Sequence, residues 1–204
     1  MEAVPEQIGF GDRRLKEDYD SDPELKDNPA ANSCYQISSR LLLSGESILK
    51  YRLWDIISAL RVLEKRDDVL KDQIKIVGFS GGAPAAVLAS LFEDRIDEVA
   101  ISGYTSYYKD SIMARRHCLD NYLPGILKLA ELPTIISAIA PRPLLIQAAE
   151  ADHLFPPESA VLAYQEIKRV YRFLNAEAEI EFNLIQGEHS AEAEPIIKFF
   201  DQIY

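Results

Sequence analysis

Ser80 lies in Gly78-Phe79-Ser80-Gly81-Gly82, a G-x-S-x-G pattern. A serine hydroxyl is a weak nucleophile, so chemistry at this residue needs a sharp, exposed turn where a base can reach it. The flanking glycines leave room for such a turn. The backbone N–H of Gly81, the next residue, is suited to bind an oxyanion. The chemistry would be acyl transfer to the serine. Glycine and serine are common in loops, so the bare pattern also fits a plain strand-to-helix turn. The surrounding sequence favours the nucleophile: Ile74-Lys75-Ile76-Val77 reads as a buried strand before it, and Ala83–Phe92 as a small-residue helix after it.

A serine nucleophile of this kind requires an acid and then a histidine, in that chain order. Leu144-Leu145-Ile146-Gln147-Ala148 reads as a later strand, and Ala149-Glu150-Ala151-Asp152-His153 follows it. Asp152 is the candidate acid, with Glu150 its nearest rival and a helix-cap or loop carboxylate the alternative. The chain has 3 histidines. His189 follows a fourth strand and precedes the last helix, where a base would hang from a loop. His153 directly follows the acid and reads as a surface residue. His117 adjoins Cys118, but neighbours along a helix do not face each other. Serine, acid and base thus fall at the ends of three expected strands, in the required chain order. His189 would take the Ser80 proton, and Asp152 would orient the imidazolium and stabilise it.

The elements that must hold these residues are read from periodicity. Leu49, Leu53, Ile56, Leu60 and Leu63 recur at steps of three and four, which puts them on one face of a helix within Ser44–Arg66. Strands are expected at Ile74–Phe79, Ile96–Ser102, Pro143–Ala148 and Ala178–Ile185. Helices are expected at Ala83–Phe92, Ser159–Leu174 and Pro195–Ile203. Tyr104–Ile139 reads as mostly helical, broken at Pro124 and Pro133. Residues 1–40 read as polar and irregular, with Asp18–Asn32 a long loop and Gln7–Asp12 the end of a strand turning through glycines. Strands alternating with helices predict an α/β fold, a mostly parallel sheet with helices on both faces. The length of 204 residues fits one domain spanning 1–204.

Composition narrows the function classes. The formal net charge of -11 argues against nucleic acid or anionic membranes as broad electrostatic partners. No apolar run approaches the roughly 20 residues of a spanning helix, and Met1–Arg14 has no signal-peptide pattern. As written, the chain is expected to be soluble and cytoplasmic. Cys34 and Cys118 read as free thiols, and 2 cysteines with 3 scattered histidines make no metal cluster. No phosphate loop or dinucleotide fingerprint occurs, so no cofactor is expected.

With those residues in view, the chain resembles the acetyl xylan esterase / dienelactone hydrolase-like branch of the α/β-hydrolase superfamily. The resemblance rests on Ile8-Gly9-Phe10-Gly11-Asp12, Leu53-Trp54-Asp55, Val77–Gly82, His117–Gly125, Ala140-Pro141-Arg142-Pro143-Leu144-Leu145-Ile146 and Phe155-Pro156. It implies an α/β-hydrolase-type sheet with Ser80, Asp152 and His189 as triad. It also implies acyl esters, often acetylated sugars, as small-molecule or carbohydrate substrates. Relatives of that branch carry more sheet before the Gly-Phe-Gly-Asp segment, so the resemblance implies that the first strands are lacking here. One of them leads into the loop that supplies a second oxyanion donor, and losing one such donor costs about 2.7–4 kcal/mol. Missing strands also imply an open sheet edge prone to self-association. An insertion at 104–139 would form a helical cap in which Tyr104, Tyr107, Tyr108 and Tyr122 stack on substrate, with ordinary packing as the alternative. The competing readings are a prolyl-oligopeptidase-like peptidase and a non-catalytic hydrolase fold that only binds ligands or partners.

Overall fold

The computed structural model describes residues 3–17, 32–71 and 73–201. Four short runs rich in Ile, Val, Leu and Ala extend as strands: β1 (Ile74–Phe79), β2 (Ile96–Ser102), β3 (Leu144–Ala149) and β4 (Ile180–Ile185). They form a sheet in the order β1-β2-β3-β4, and every neighbouring pair is parallel. Every residue of β3 is buried, as a central parallel strand covered on both faces requires. β1 is more open, with Val77 and Phe79 exposed.

The helices are α1 (Cys34–Leu43), α2 (Ile48–Leu63), α3 (Ala83–Phe92), α4 (Leu132–Ser137), α5 (Pro157–Phe173) and α6 (Ala193–Asp201). Strand register assigns three of them to faces of the sheet. Gly78, Ile101, Ile146 and Phe182 are aligned across the four strands, so their side chains share one face. There α3 rests on Gly78, and Tyr164 of α5 stacks on Phe182 with ring centroids 4.9 Å apart. Ala100 and Leu145, one residue along, point to the opposite face and pack against Ile196 and Phe199 of α6. The parallel sheet with helices on both faces is the architecture expected from the alternation of strands and helices.

The described residues group into two compact units, one from Met1–Val69 with Cys118–Pro124, the other from Leu70–His117 with Gly125–Tyr204. The sheet belongs to the second. In the first, Ser47 caps α2 by accepting from the Leu49 N–H. Arg52 of α2 is buried and donates to Asp120 Oδ2 at 2.7 Å and to Cys34 Sγ at 3.1 Å. Asn121 Nδ2 donates to the other Asp120 oxygen at 3.0 Å.

Three expectations change. Cys34–Leu43 is a helix within the stretch read as irregular. Its buried side is only Cys34, Ile37 and Ser38, and exposed Tyr35, Leu42 and Leu43 blur the period. The strand end expected at Gln7–Asp12 is a turn followed by a 3₁₀ turn, Gly11–Arg13. Within 104–139, only Leu132–Ser137 forms α-helix, with 3₁₀ turns at Leu119–Asn121 and Ile126–Lys128. Side chains from other segments take backbone donors that a helix would use internally: Ser159 Oγ accepts from the Tyr107 N–H and Glu131 from the Tyr108 N–H. The loop expected at Asp18–Asn32 lies, apart from Asn32, outside the described residues, as does the last turn expected through Ile203. Among the described residues, no helix is long and apolar enough to cross a membrane.

Candidate active site

The turn at Ser80 follows from what β1 and α3 leave out. A Cβ on Gly78 would lie 2.6 Å from Ala83 Cα and 2.7 Å from Ala86 Cβ. Glycine there, and alanines on α3, let the helix seat directly on the strand. The chain must then reverse within Ser80–Gly82, and Ser80 takes φ 49°. For a residue with a side chain this left-handed conformation costs on the order of 1–3 kcal/mol, and packing must hold it. Gly81 follows at the amino-terminal end of α3, where the helix dipole is positive.

Asp152 stands in the turn after β3. Its Oδ1 accepts the N–H groups of Leu154 at 2.8 Å and Phe155 at 3.0 Å, and its Oδ2 lies 2.7 Å from His189 Nδ1. Burial pushes the carboxyl towards protonation, but the imidazole and the two backbone donors outweigh it and hold the group below the usual carboxylate range. Asp152 is therefore ionised at neutral pH. Its pairing stabilises the fold above the unfolded carboxylate pKa of about 3.9, and that contribution is lost as pH falls through the lower folded value. Glu150, the rival acid, is exposed, and its N–H donates to the Ile185 carbonyl.

His189 follows β4, and its Nε2 lies 2.7 Å from Ser80 Oγ. An ionised carboxylate can only accept, so Nδ1 carries the proton and Nε2 is left to accept from the serine hydroxyl. The imidazole sits between Phe79 and Phe155, with ring centroids 5.0 and 5.9 Å away. Gly103 closes the space beneath it. At φ 59°, a Cβ on Gly103 would lie 3.0 Å from His189 Cε1 and from Phe79 Cε2. The acid turn and the base loop are also tied together, because the Ala151 N–H donates to the Gly187 carbonyl at 2.9 Å. The structure thus brings Ser80, His189 and Asp152 into one hydrogen-bonded line that can move a proton from the hydroxyl to the imidazole.

The tyrosines are less uniform. Tyr104 is 3% exposed and packs on Phe155 at 5.6 Å. Tyr107 donates its hydroxyl to Glu166 at 2.7 Å, a bond that pushes its own ionisation up to about 12. Tyr122 is partly exposed and belongs to the first unit. His117 lies 3.3 Å from Ser111 Oγ and meets Phe155 edge-on at 5.1 Å, while Cys118 and His153 are exposed. Sequence reasoning missed Gly103 and Gln147. A glycine directly after the β2 run was a readable sign of close approach. Gln147 carried no such sign.

Comparison with known proteins supports this picture of the fold. No family model matches the chain. YtaP of Bacillus subtilis (strain 168), a protein assigned as a hydrolase, is 29% identical over 168 residues, or 80% of this chain and 50% of YtaP. Among solved structures, a carbohydrate esterase family 15 glucuronoyl esterase from Caldicellulosiruptor kristjansonii superposes with TM-score 0.63 at 19% identity, covering 76% of this chain and 49% of that one. A protein assigned as an acetyl xylan esterase, from Bacteroides fragilis NCTC 9343, superposes with TM-score 0.66 at 17% identity, covering 85% of this chain and 44% of that one. The chain spans about half the length of YtaP and half or less of these two structures. The fold is that of the α/β-hydrolases.

Proposed function

We propose that this chain carries the site of a serine hydrolase that cleaves carboxylic esters, with sugar-linked esters as the substrate class. The observation that carries the reading is His189, hydrogen-bonded at 2.7 Å to Ser80 on one side and at 2.7 Å to Asp152 on the other. The similarity to structures of glucuronoyl and acetyl xylan esterases supports an ester linkage on a carbohydrate.

In this mechanism His189 Nε2 takes the Ser80 proton as Oγ attacks the ester carbonyl carbon, and Asp152 stabilises the imidazolium. The Gly81 N–H stabilises the negative charge that develops on the carbonyl oxygen. The carbon–oxygen bond to the alcohol then breaks, and His189 returns the proton to the departing alkoxide. Water, deprotonated by His189, releases the acid from the acyl-enzyme and restores Ser80. The packing of Tyr104 and His117 on Phe155 beside His189 supports a pocket-shaping role for the segment after β2.

The test is reaction of the whole chain with a fluorophosphonate probe, with Ser80→Ala as control, followed by a panel of acetyl and glucuronoyl esters. Labelling abolished by Ser80→Ala, together with turnover of an ester in the panel, is the expected result. A folded wild-type chain that takes no label, or equal labelling of Ser80→Ala, overturns the assignment.

A further inference from the structure

The imidazole needs more than its two hydrogen bonds, because His189 rides on a loop. Upstream, that loop is fastened where the Ala151 N–H meets the Gly187 carbonyl. Downstream, it is fastened by two side chains, Gln147 and Ser102. Gln147, buried in the middle of the sheet, uses Oε1 to accept from the Glu192 N–H at 3.0 Å and Nε2 to donate to the Glu192 carbonyl at 3.1 Å. Ser102 on the neighbouring strand donates to the same Oε1 at 3.0 Å, and its hydroxyl also lies 3.3 Å from the Ser190 carbonyl.

A carboxamide is one of the few side chains able to accept from and donate to a single backbone residue at once. Here it acts as a stretch of strand would, pairing with both polar groups of Glu192. Methionine has no such groups, glutamate loses the donor, and asparagine is one methylene shorter. A glutamine in the interior of a fully buried strand is otherwise a costly choice, since its polar atoms must all be paired. The loop pairing accounts for that cost, and it ties down residues immediately after His189.

We infer that Gln147 is a positioning residue: with Ser102 it clamps the segment 190–192 and so holds the His189 imidazole at hydrogen-bonding distance from both Ser80 and Asp152. Gln147 touches no reacting atom. This inference rests on the proposed role of His189, but its central readout does not need catalysis.

The experiment compares the wild-type chain with Gln147→Met, which keeps volume and removes the pairing, and with Ser102→Ala, which removes one donor. A buried strand substitution, Leu145→Val, serves as a destabilised control. The primary readout is the downfield proton resonance of the Nδ1–H shared by His189 and Asp152, recorded on folded protein. We expect this resonance to be lost through solvent exchange in Gln147→Met, weakened in Ser102→Ala and retained in Leu145→Val. The second readout is fluorophosphonate labelling of Ser80, expected to slow about tenfold in Gln147→Met. Ester turnover should show the same fall in kcat with KM unchanged. A folded Gln147→Met chain that keeps both the resonance and the labelling rate overturns the clamp. If Gln147→Met does not fold, Ser102→Ala decides on the same two readouts. A wild-type chain that shows the resonance but takes no label refutes the hydrolase reading and leaves the clamp to be judged on the resonance alone.

Discussion

Asp120 in the first unit and Asp152 in the second are each buried against a nitrogen partner, and the two pairs have opposite characters. In the first unit Asp120 meets Arg52 at 2.7 Å, and both side chains are within 2% of complete burial. In the second, Asp152 is as deeply buried, but its partner His189 keeps 16% of its side chain exposed. A guanidinium stays charged at any ordinary pH, so the Arg52 pair is fixed charge that holds α2 to Asp120. An imidazole can gain and lose a proton, and His189 has a hydroxyl on its far side. The thiol beside Arg52 follows the same logic. Burial pushes Cys34 up to about 11, more than the neighbouring guanidinium draws it down, which keeps it in the thiol form at neutral pH. The proposed chemistry draws on the second kind of pair, a buried carboxylate whose partner is an imidazole in contact with a hydroxyl.

That contrast can be broken experimentally. The largest effect should come from Asp152→Asn, which keeps the shape but reverses the preferred tautomer of His189. Turnover should drop by roughly 10⁴ in a chain that still folds, and Glu150→Gln should leave steady-state kinetics near wild type. If Glu150→Gln were the damaging change, the acid would be misassigned. Next comes Arg52→Met, which leaves Asp120 buried without its cation and should cost about 3–5 kcal/mol in urea unfolding. The double variant Arg52→Met with Asp120→Leu should recover most of that loss, because the pair is structural and an apolar replacement removes the stranded charge. Recovery of none of it would show that the pair does more than fill the interior.

A smaller effect is expected from Gly103→Ala. The added methyl meets His189 and Phe79 at 3.0 Å in a left-handed backbone, so about 1–2 kcal/mol of stability should be lost. Fluorophosphonate labelling should slow as well, which a purely local strain would not cause. The smallest test concerns the thiols. Maleimide should modify Cys118 readily in the native chain and Cys34 only after denaturation, as counted by intact mass. Rapid native modification of Cys34 would contradict its burial.

The two units also differed in how far the sequence disclosed them. In the second, Gly78–Gly82 lies between a β-branched run and an alanine-rich run, and β1, α3, β2 and β3 form within a residue of where periodicity puts them. Ser80, Asp152 and His189 were readable because each follows a strand, and a strand's end is local information. Gln147 was not, since its partners Ser102 and Glu192 are 45 residues away in either direction. The first unit disclosed little. Arg52 and Asp120 are 68 residues apart, and α1 buries too few residues to make a clear stripe. Nor did the period of 104–117 reveal that the Tyr107 and Tyr108 N–H groups bond to Ser159 and Glu131.

The strand order β1-β2-β3-β4 has a consequence for biosynthesis. Each strand adds beside the one made just before it, so the sheet can grow in the order in which the ribosome delivers it. Ser80 emerges first, Asp152 later, and His189 only after β4 has been synthesised. During that interval Ser80 lacks the imidazole that meets its hydroxyl in the folded chain. On the proposed mechanism, the order of synthesis therefore puts the nucleophile in place before its acid and its base, and the hydrogen-bonded line can close only after β4 and the loop behind it have docked.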